Sequence, residues 1–357
     1  MTRDPLAAVR PEIRALRAYR FEPGPRVVRA KLDFNESPAD VPAPAKAAAL
    51  AALGARRFAL YPEFGAPRLR AALAANAGLA SEQVVPSNGS GEAILAALSV
   101  FAGCGGTLLL APPVFSLYFQ MAAIVGAKVA AVPLAGDDFV LDEEAFLAAA
   151  AKGERTVPLL CSPNNPTGGV VSRELVRRLC AVSDVVLVDQ AYVDFAEGED
   201  DLLPLLPELP NLVVFRTLSK AWSIAGLRVG YAAARPDVAD EIGKAILPFS
   251  VDVGAEEIAL AAMAGREEVR ARCRAIAVER ERVAAALRSL GAKVAPSRAN
   301  FLFLVPPGGD AARVYAGLRA RGVLVRDLSA APPGALRVSI GTPEENDLFL
   351  STLKEVL

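Results

Sequence analysis

The sequence predicts an α/β protein: a large, mostly parallel sheet flanked by helices, followed by a smaller α+β part. Between residues 80 and 235, short apolar runs alternate with segments of helical period, as is typical of parallel sheets covered on both faces. Beyond Pro248 the pattern changes to long amphipathic helices and then to short strands. A chain of 357 residues is long enough for two such units.

Apolar runs of strand length define the predicted sheets. In the larger part these runs are almost continuously apolar, as are strands buried on both faces: Thr107–Ala111, Lys128–Pro133, Val157–Cys161, Val185–Asp189, Leu212–Arg216 and Arg228–Ala233. The helices predicted between them include Glu92–Phe101 and Ser172–Val182. In the smaller part we predict helices at Ala255–Ala264, Arg266–Leu290 and Ala311–Arg321, and strands at Ala299–Val305, Val323–Arg326 and Leu336–Ile340.

These elements divide the chain into three expected regions. Residues 1–40 are rich in proline and arginine and carry little periodicity, so we expect an arm that packs on the smaller domain. Residues 41–255 are expected to form the larger domain, which would bind the cofactor inferred below. Residues 256–357, with the long connecting helix included, are expected to form the smaller domain.

Composition narrows the classes of function. Lys and Arg number 39 against 40 Asp and Glu, a formal net charge of -1, which offers no basic field for nucleic acid. No stretch approaches the roughly 20 apolar residues that a membrane span requires, and the first residues lack a signal-peptide pattern. The four cysteines show no CxxC pairing, which favours reduced thiols in a cytoplasmic protein.

The chain contains no histidine. Catalytic triads that use histidine, Cys-His pairs and most transition-metal sites are thereby excluded, and we expect no metal. Proton transfer near neutral pH must therefore use another group. A lysine whose pKa is lowered by its surroundings is the obvious candidate.

Polar side chains follow the predicted strands where those strands end. Ligands of open parallel sheets bind in the crevice beyond the carboxyl ends of the strands. Each residue alone could be part of a turn, a helix cap or the surface, but their shared position at one edge favours a site. The residues are Asn165, Asp189, Tyr192, Ser219, Lys220 and Arg228.

A small-residue turn precedes the helix at Glu92–Phe101. The segment Asn88–Glu92 reads Asn-Gly-Ser-Gly-Glu, and free N–H groups at a helix start can bind phosphate. Alone this signal is weak, because a tight turn is as good an interpretation. The segment also lacks the Gly-Lys of a nucleotide P-loop and the full dinucleotide-binding glycine pattern.

Taken together, these motifs resemble the histidinol-phosphate aminotransferase family, which belongs to the class II, fold-type I pyridoxal-phosphate enzymes. The resemblance covers nearly the whole chain. The number and order of the motifs are highly specific for the cofactor class and less specific for the substrate. The matching segments are Leu32–Pro38, Tyr61–Glu63, Cys161–Gly168 (CSPNNPTG), Arg216–Lys220, Ala225–Arg228, Val325–Asp327 and Leu336–Ser339.

The resemblance implies a role in cofactor binding for each residue of the site. Lys220 would bind pyridoxal 5'-phosphate covalently and then move the proton between the substrate's Cα and the cofactor. Asp189 would pair with the pyridine nitrogen, while Tyr192 and Asn165 would hydrogen-bond the ring oxygen and Phe115 would stack on the ring. The phosphate would be held by Ser90, Gly91, Ser219 and Arg228, and by Tyr61 from the second subunit of a homodimer.

The resemblance also implies the substrates. Arg337 would bind the carboxylate of L-glutamate and 2-oxoglutarate, and Arg326, Asn35 and Tyr19 would bind a substrate phosphate. The implied reaction, a step of histidine biosynthesis, converts L-histidinol phosphate and 2-oxoglutarate to imidazole acetol phosphate and L-glutamate.

Three alternatives stay open. They are an aromatic or broad-specificity aminotransferase, a lyase similar to the threonine-phosphate decarboxylases, and a transcription regulator with an aminotransferase-like domain. The near-neutral charge disfavours the last of these.

Two positions depart from the family's pattern. Gln190 stands where the family usually has glutamate, so a charge beside Asp189 is lost. Gly91 stands where the family often has aspartate, which could alter how the phosphate loop is braced. Neither change removes a group that the implied chemistry requires.

Overall fold

The structure is a computed structural model, which describes residues 4–16, 25, 27–153, 155–196, 198–330 and 334–357. Its helices are α1 Pro11–Ala15, α2 Ala43–Gly54, α3 Pro67–Ala77, α4 Ser90–Phe101, α5 Leu117–Val125, α6 Glu143–Ala151, α7 Arg173–Val182, α8 Pro236–Lys244, α9 Val253–Ala264, α10 Arg266–Ser289, α11 Ala311–Ala320 and α12 Pro343–Val356. Its strands are β1 Ala30–Leu32, β2 Val84–Asn88, β3 Thr107–Leu110, β4 Lys128–Ala131, β5 Thr156–Cys161, β6 Val186–Asp189, β7 Leu212–Thr217, β8 Val229–Ala233, β9 Lys293–Val294, β10 Phe301–Val305, β11 Val323–Leu328 and β12 Ala335–Ser339.

The larger sheet has seven strands in the order β2-β8-β7-β6-β5-β3-β4. The five strands from β7 to β4 are parallel to their neighbours, whereas β8 runs antiparallel to both β7 and β2. Every residue of β5, β6 and β7 is buried, because helices cover both faces. Val186 and Val188 pack in one apolar cluster and Leu187 in the other. The predicted α/β class and mostly parallel sheet are confirmed.

The smaller sheet has five strands in the order β1-β11-β12-β10-β9. Strand β1 is parallel to β11, and the other neighbours are antiparallel. The register places Arg326 of β11 opposite Arg337 of β12. Residues opposite each other in a sheet extend their side chains to the same face, so this pairing brings two guanidinium groups together.

The first forty residues divide between the two parts of the fold. Strand β1 joins the smaller sheet, whereas α1 lies against α5, a helix that covers the larger sheet. Arg10 Nη2 donates to the carbonyl of Ile124 at 2.5 Å, and a cation is favourable at the C-terminal end of a helix. The exact domain boundaries remain a prediction.

The described α-helices range in length from 5 residues in α1 to 24 residues in α10. None of those in the described part of the chain combines the length and apolar character that crossing a membrane would take.

Candidate active site

A cavity of about 410 Å³ lies between the carboxyl ends of β5–β7 and the strands β11 and β12. Tyr61 does not line this cavity, and Tyr19 lies outside the described residues. All the other residues predicted for the site line it: Asn35, Ser90, Gly91, Phe115, Asn165, Asp189, Tyr192, Ser219, Lys220, Arg228, Arg326 and Arg337.

Lys220 follows β7 and extends its amine into the cavity. Its Nζ donates to the carbonyl of Phe34 at 2.9 Å. Burial lowers the pKa of Lys220 to about 7, with a further contribution from the positive charges of Arg337 and Arg228. The amine is therefore largely uncharged just above neutral pH, the state in which a lysine acts as a nucleophile or base.

The lowered pKa of Lys220 predicts how the stability of the cofactor-free protein depends on pH. Unfolded lysine keeps its proton up to a pKa of about 10.4, whereas folded Lys220 loses it above about 7. The unfolded state therefore binds more protons between these values, and the free energy of unfolding rises with pH by up to about 1.4 kcal/mol per unit from this group. Denaturant unfolding from pH 7 to 10 should show a steeper rise for wild type than for Lys220→Met. Equal slopes would contradict the buried amine.

Asp189 ends β6 and is buried at the base of the cavity, 4% exposed. Its Oδ2 accepts a hydrogen bond from the Tyr118 hydroxyl at 2.6 Å, and its Oδ1 accepts from the backbone N–H of Ala191 at 3.0 Å. Burial raises the pKa of Asp189, and these two hydrogen bonds oppose that rise. No lysine or arginine in the described ranges forms an ion pair with it, so the carboxylate suits a cationic ligand group.

Tyr118 is a residue of the site that the sequence motifs do not identify, although its isolated position in α5 is a usable signal. Tyr118 is fully buried in α5, a helix otherwise built mainly from apolar residues. A buried phenol nearly always finds a hydrogen-bond partner. An isolated tyrosine three residues after Phe115 could therefore have been predicted to bond a polar group of the site.

The Tyr192 hydroxyl accepts from two amides. Asn35 Nδ2 lies 3.1 Å from it and Asn165 Nδ2 lies 3.4 Å from it. Arg337 Nη1 donates to Asn165 Oδ1 at 2.6 Å, and because a guanidinium has donors only, the amide nitrogen of Asn165 must face Tyr192. With both lone pairs engaged, the phenol's own hydrogen is left for a ligand in the cavity. Burial raises the pKa of Tyr192 to about 12, so the phenol keeps this hydrogen.

Asn35 connects the smaller sheet to this phenol. Its backbone has a left-handed φ of 55° and its side chain is fully buried. The Asn35 N–H donates to Ser339 Oγ at 2.9 Å, and the Ser339 hydroxyl donates to Asn35 Oδ1 at 3.1 Å. Asn300 Nδ2 donates to the Asn35 carbonyl at 3.1 Å. These hydrogen bonds fix the position of Asn35 between the smaller sheet and Tyr192. The contact of Asn35 with a substrate phosphate remains a prediction.

The start of α4 forms a cradle for an anion. The first N–H groups of a helix have no partner within it, and here they belong to Ser90 and Gly91. Arg228 Nη1 donates to Ser219 Oγ at 3.1 Å. A Cβ on Gly89 would lie 2.5 Å from Arg228 Nη2, and one on Gly230 would lie 2.2 Å from the nitrogen of Ser90. The backbone contact at Gly230 and the left-handed φ of 77° at Gly89 both favour glycine, and the close approach that results suits a phosphate.

The two arginines of the smaller sheet form the opposite wall. Arg337 Nη2 donates to the Asp33 carbonyl at 2.7 Å, and the guanidinium lies 5.3 Å from the centre of the Phe301 ring. Arg326 stands opposite it in register. Like charges placed directly opposite each other destabilise a sheet, so the pair suits ligands that carry anionic groups.

Gln190 and Gly91, the two residues that depart from the family's pattern, both fit their surroundings in the structure. Gln190 Nε2 donates to the Asp200 carbonyl at 2.7 Å, and its Oε1 accepts from the Leu202 N–H at 3.0 Å. An ionised glutamate could accept but not donate, so the amide suits this loop. A Cβ on Gly91 would meet only Met121 Cε, at 3.8 Å, an ordinary contact. The backbone therefore leaves room for a Cβ at this position, and glycine is not required there by close contact.

Several known proteins are similar to this chain over most of its length. A family model described as aminotransferase class I and II matches residues 29–353. The histidinol-phosphate aminotransferase of Desulfitobacterium hafniense is 37% identical, over 98% of this chain and 97% of its own length. That of Roseiflexus castenholzii is 39% identical, over 91% and 89%. The structure of the Sinorhizobium meliloti histidinol-phosphate aminotransferase in complex with pyridoxal-5'-phosphate superposes with a TM-score of 0.86 at 25% identity, covering 97% and 96% of the two chains.

Proposed function

The chain belongs to the class I and II aminotransferase family, and within this family we propose that it is a pyridoxal-phosphate-dependent histidinol-phosphate aminotransferase. It transfers the amino group of L-histidinol phosphate to 2-oxoglutarate and forms imidazole acetol phosphate and L-glutamate, in histidine biosynthesis. One observation carries this assignment. The relatives of that name match the chain over 98% and 91% of its length, and the family-model match over residues 29–353 includes both walls of the cavity.

The residues present fit the cofactor. A buried carboxylate, Asp189, faces the cavity and forms no ion pair with any described residue, which suits the protonated pyridine nitrogen. The cradle at the start of α4, with Ser219 and Arg228, suits the phosphate. Phe115 lines the same cavity and would stack on the ring. Lys220 would hold the cofactor covalently.

Each residue then has a defined task. When bound, pyridoxal phosphate draws electrons from the substrate's Cα and so weakens its bond to hydrogen. Once the substrate's amino group has displaced it from the cofactor, Lys220 would take that proton with its amine, which is largely uncharged just above neutral pH. It would return the proton at the cofactor's C4′. Asp189 would hold a proton at the ring nitrogen. Tyr192 would donate its hydrogen to the ring oxygen, because Asn35 and Asn165 fill its lone pairs.

The arginine wall binds the substrates. Arg337 is oriented by Asn165 and the Asp33 carbonyl, and we assign to it the carboxylate of L-glutamate and 2-oxoglutarate. Arg326, opposite it in register, is assigned the phosphate of L-histidinol phosphate. Two anion sites on one wall match a pair of substrates that differ in shape but share negative charge.

The alternative activities have less support. The L-threonine-O-3-phosphate decarboxylase of Porphyromonas gingivalis superposes with a TM-score of 0.78 at 24% identity, a likeness that shows the fold alone.

Incubation with each amino donor and 2-oxoglutarate separates the activities, with L-glutamate as the measured product. L-histidinol phosphate should be turned over much faster than aromatic amino acids. Release of carbon dioxide from O-phosphothreonine without L-glutamate formation would favour the lyase.

The active unit that we propose is a homodimer. The segment around Tyr61 exposes several large apolar side chains, which in water favour association. Tyr61 is 82% exposed and does not line the cavity of its own chain, and we propose that it reaches the phosphate cradle of the second copy. The exposed apolar residues of this segment are Phe58, Leu60, Tyr61 and Phe64, and the exposed Leu247 lines a pocket together with Phe64.

Mixed dimers test this crossing. Lys220→Ala and Tyr61→Ala subunits, unfolded together and refolded, should form hybrids in which one of the two sites carries both substitutions and the other carries neither. An equal mixture should therefore recover about a quarter of wild-type activity, since about half of the dimers are hybrids. If Tyr61 acts within its own chain, mixing restores nothing beyond the residual activity of Tyr61→Ala.

We also place the reaction in the cytoplasm. The thiols of Cys104, Cys161, Cys180 and Cys273 are all free, which suits a reducing compartment. Burial raises the pKa of three of them, Cys161, Cys180 and Cys273, so these thiols stay protonated and unreactive.

A further inference from the structure

Two arginines bracket the segment that carries Tyr61. Arg56 and Arg68 stand at the two ends of residues 57–67, hereafter the Tyr61 segment, and both bind neighbouring glutamates of α9. Arg56 Nη2 lies 2.8 Å from Glu256 Oε2, and its Nε lies 2.8 Å from Glu257 Oε1. Arg68 contacts both oxygens of Glu257, at 2.7 and 3.2 Å. The four side chains therefore join both ends of the Tyr61 segment to one turn of α9.

These glutamates are not ordinary surface charges. Glu256 is 3% exposed and Glu257 is 6% exposed, and burying a carboxylate is costly unless a cation is held against it. The Arg68 hydrogen bond, the main cause, holds the pKa of Glu257 below its ordinary value. Since neither glutamate lines the cavity, binding of substrate or cofactor does not explain their burial.

The aromatic residues in the middle of the Tyr61 segment pack on Phe249, apart from the ion pairs with α9 at its two ends. The Tyr61 ring stacks on Phe249 with ring centres 4.9 Å apart, and Phe64 packs edge-on to the same ring at 6.1 Å. Phe249 has a left-handed φ of 61°, a strained conformation that persists only where surrounding contacts hold it. The next carbonyl, that of Ser250, accepts from Asn88 Nδ2 at 3.0 Å. Asn88 directly precedes the phosphate cradle.

We propose that Arg56, Arg68, Glu256 and Glu257 are positioning residues that hold Tyr61 in the orientation required by the phosphate cradle of a second copy. The inference rests on the proposed dimer, in which Tyr61 crosses to the other site. The four charges act through Tyr61 alone and contact neither cofactor nor substrate. Their loss should therefore weaken cofactor binding in the same way as loss of the Tyr61 hydroxyl does.

A double-mutant cycle on the full-length protein tests this coupling. The equilibrium dissociation constant of pyridoxal phosphate is measured by titrating the cofactor-free forms of wild type, Tyr61→Phe, Glu257→Gln and the double variant. Each single substitution should weaken binding about tenfold. The double variant should be weakened hardly further, because the two residues act as one unit. Analytical ultracentrifugation of the same samples measures the fraction of each variant that is dimeric.

Two further variants sharpen the comparison. Arg68→Lys keeps the charge but cannot make the two-pronged contact, so it should weaken binding by about threefold even if Glu257→Gln does not fold. Glu144→Gln removes an ion pair of the same length, 2.7 Å to Arg178, on an exposed surface. This control should leave the dissociation constant unchanged.

The outcomes separate the two proposals. Unchanged binding in Glu257→Gln and Arg68→Lys beside weakened binding in Tyr61→Phe would overturn the positioning role alone, as would additive losses of about a hundredfold in the double variant. Unchanged binding in Tyr61→Phe would overturn the crossing of Tyr61 and the positioning role with it. Turnover of L-histidinol phosphate by wild type in the same preparations tests the proposed activity independently.

Discussion

Lys220→Ala is expected to abolish turnover of L-histidinol phosphate, with a loss of roughly a thousandfold or more. Lys220 is the only amine among the described residues of the cavity wall, and the other cations there are arginines, which stay protonated at any working pH. Without histidine in the chain, no neighbouring imidazole can replace it. The rate of L-glutamate formation at saturating substrates is the measurement.

The same variant should keep its fold and bind the cofactor phosphate. Arg228, Ser219 and the start of α4 are untouched, so equilibrium dialysis should still detect bound pyridoxal phosphate. Lys244→Ala, on an exposed surface where the lysine pairs with Glu241 at 2.6 Å, is the matched control and should retain wild-type activity. A Lys220→Ala protein that turns over within about tenfold of wild type would refute the assignment of the catalytic base.

Arg337→Ala is expected to raise the KM for 2-oxoglutarate by about a hundredfold while changing cofactor affinity by less than about threefold. A two-pronged hydrogen bond from a guanidinium to a carboxylate accounts for a loss of this order. Arg326→Ala should instead raise the KM for L-histidinol phosphate, because Arg326 is assigned the substrate phosphate. The contact of Arg337, on the neighbouring strand, with the substrate carboxylate would be kept. Initial rates with each substrate varied in turn measure both effects.

Conservative variants guard this prediction against indirect effects. Truncating Arg337 also leaves Asn165 Oδ1 without its donor, which could disturb Tyr192. Arg337→Lys keeps the charge and the possibility of one hydrogen bond, so it should lie between wild type and Arg337→Ala. Equal losses of cofactor and substrate affinity in both arginine variants would show that they support the fold rather than the substrates.

Much of the fold could be predicted from local sequence pattern. Strands β5, β6 and β7 are buried on both faces, so each is an almost continuous apolar run in the sequence. The strand ends predicted from these runs lie within one residue of those observed. Helix α2 was harder to predict, because alanines occupy every side of it and leave no clear apolar stripe. The pairing of β1 with β11 joins segments almost three hundred residues apart, and three residues of strand carry no signal of such a partner.

The candidate site could likewise be predicted where it depends on local sequence pattern, but not where it depends on contacts between distant segments. The residues at strand ends could be named because one sheet edge collects them, and the structure brings them to one cavity. Contacts between distant segments could not be predicted. The hydrogen bonds from Asn35 to Ser339 and to Tyr192 depend on a left-handed backbone at Asn35. The sequence pattern also presented Gln190 as a lost charge, whereas its amide both donates to and accepts from the loop at residues 200–202.

The most direct test of the central claim is the absorption spectrum of the purified protein with pyridoxal phosphate, before and after L-histidinol phosphate is added without any keto acid. The lysine-bound cofactor should give a visible band, and this band should be replaced by a near-ultraviolet band as the amino group passes to the cofactor. A visible band that L-histidinol phosphate leaves unchanged would contradict the amino donor. If no band forms at all, the role of Lys220, and with it the whole account, would be refuted.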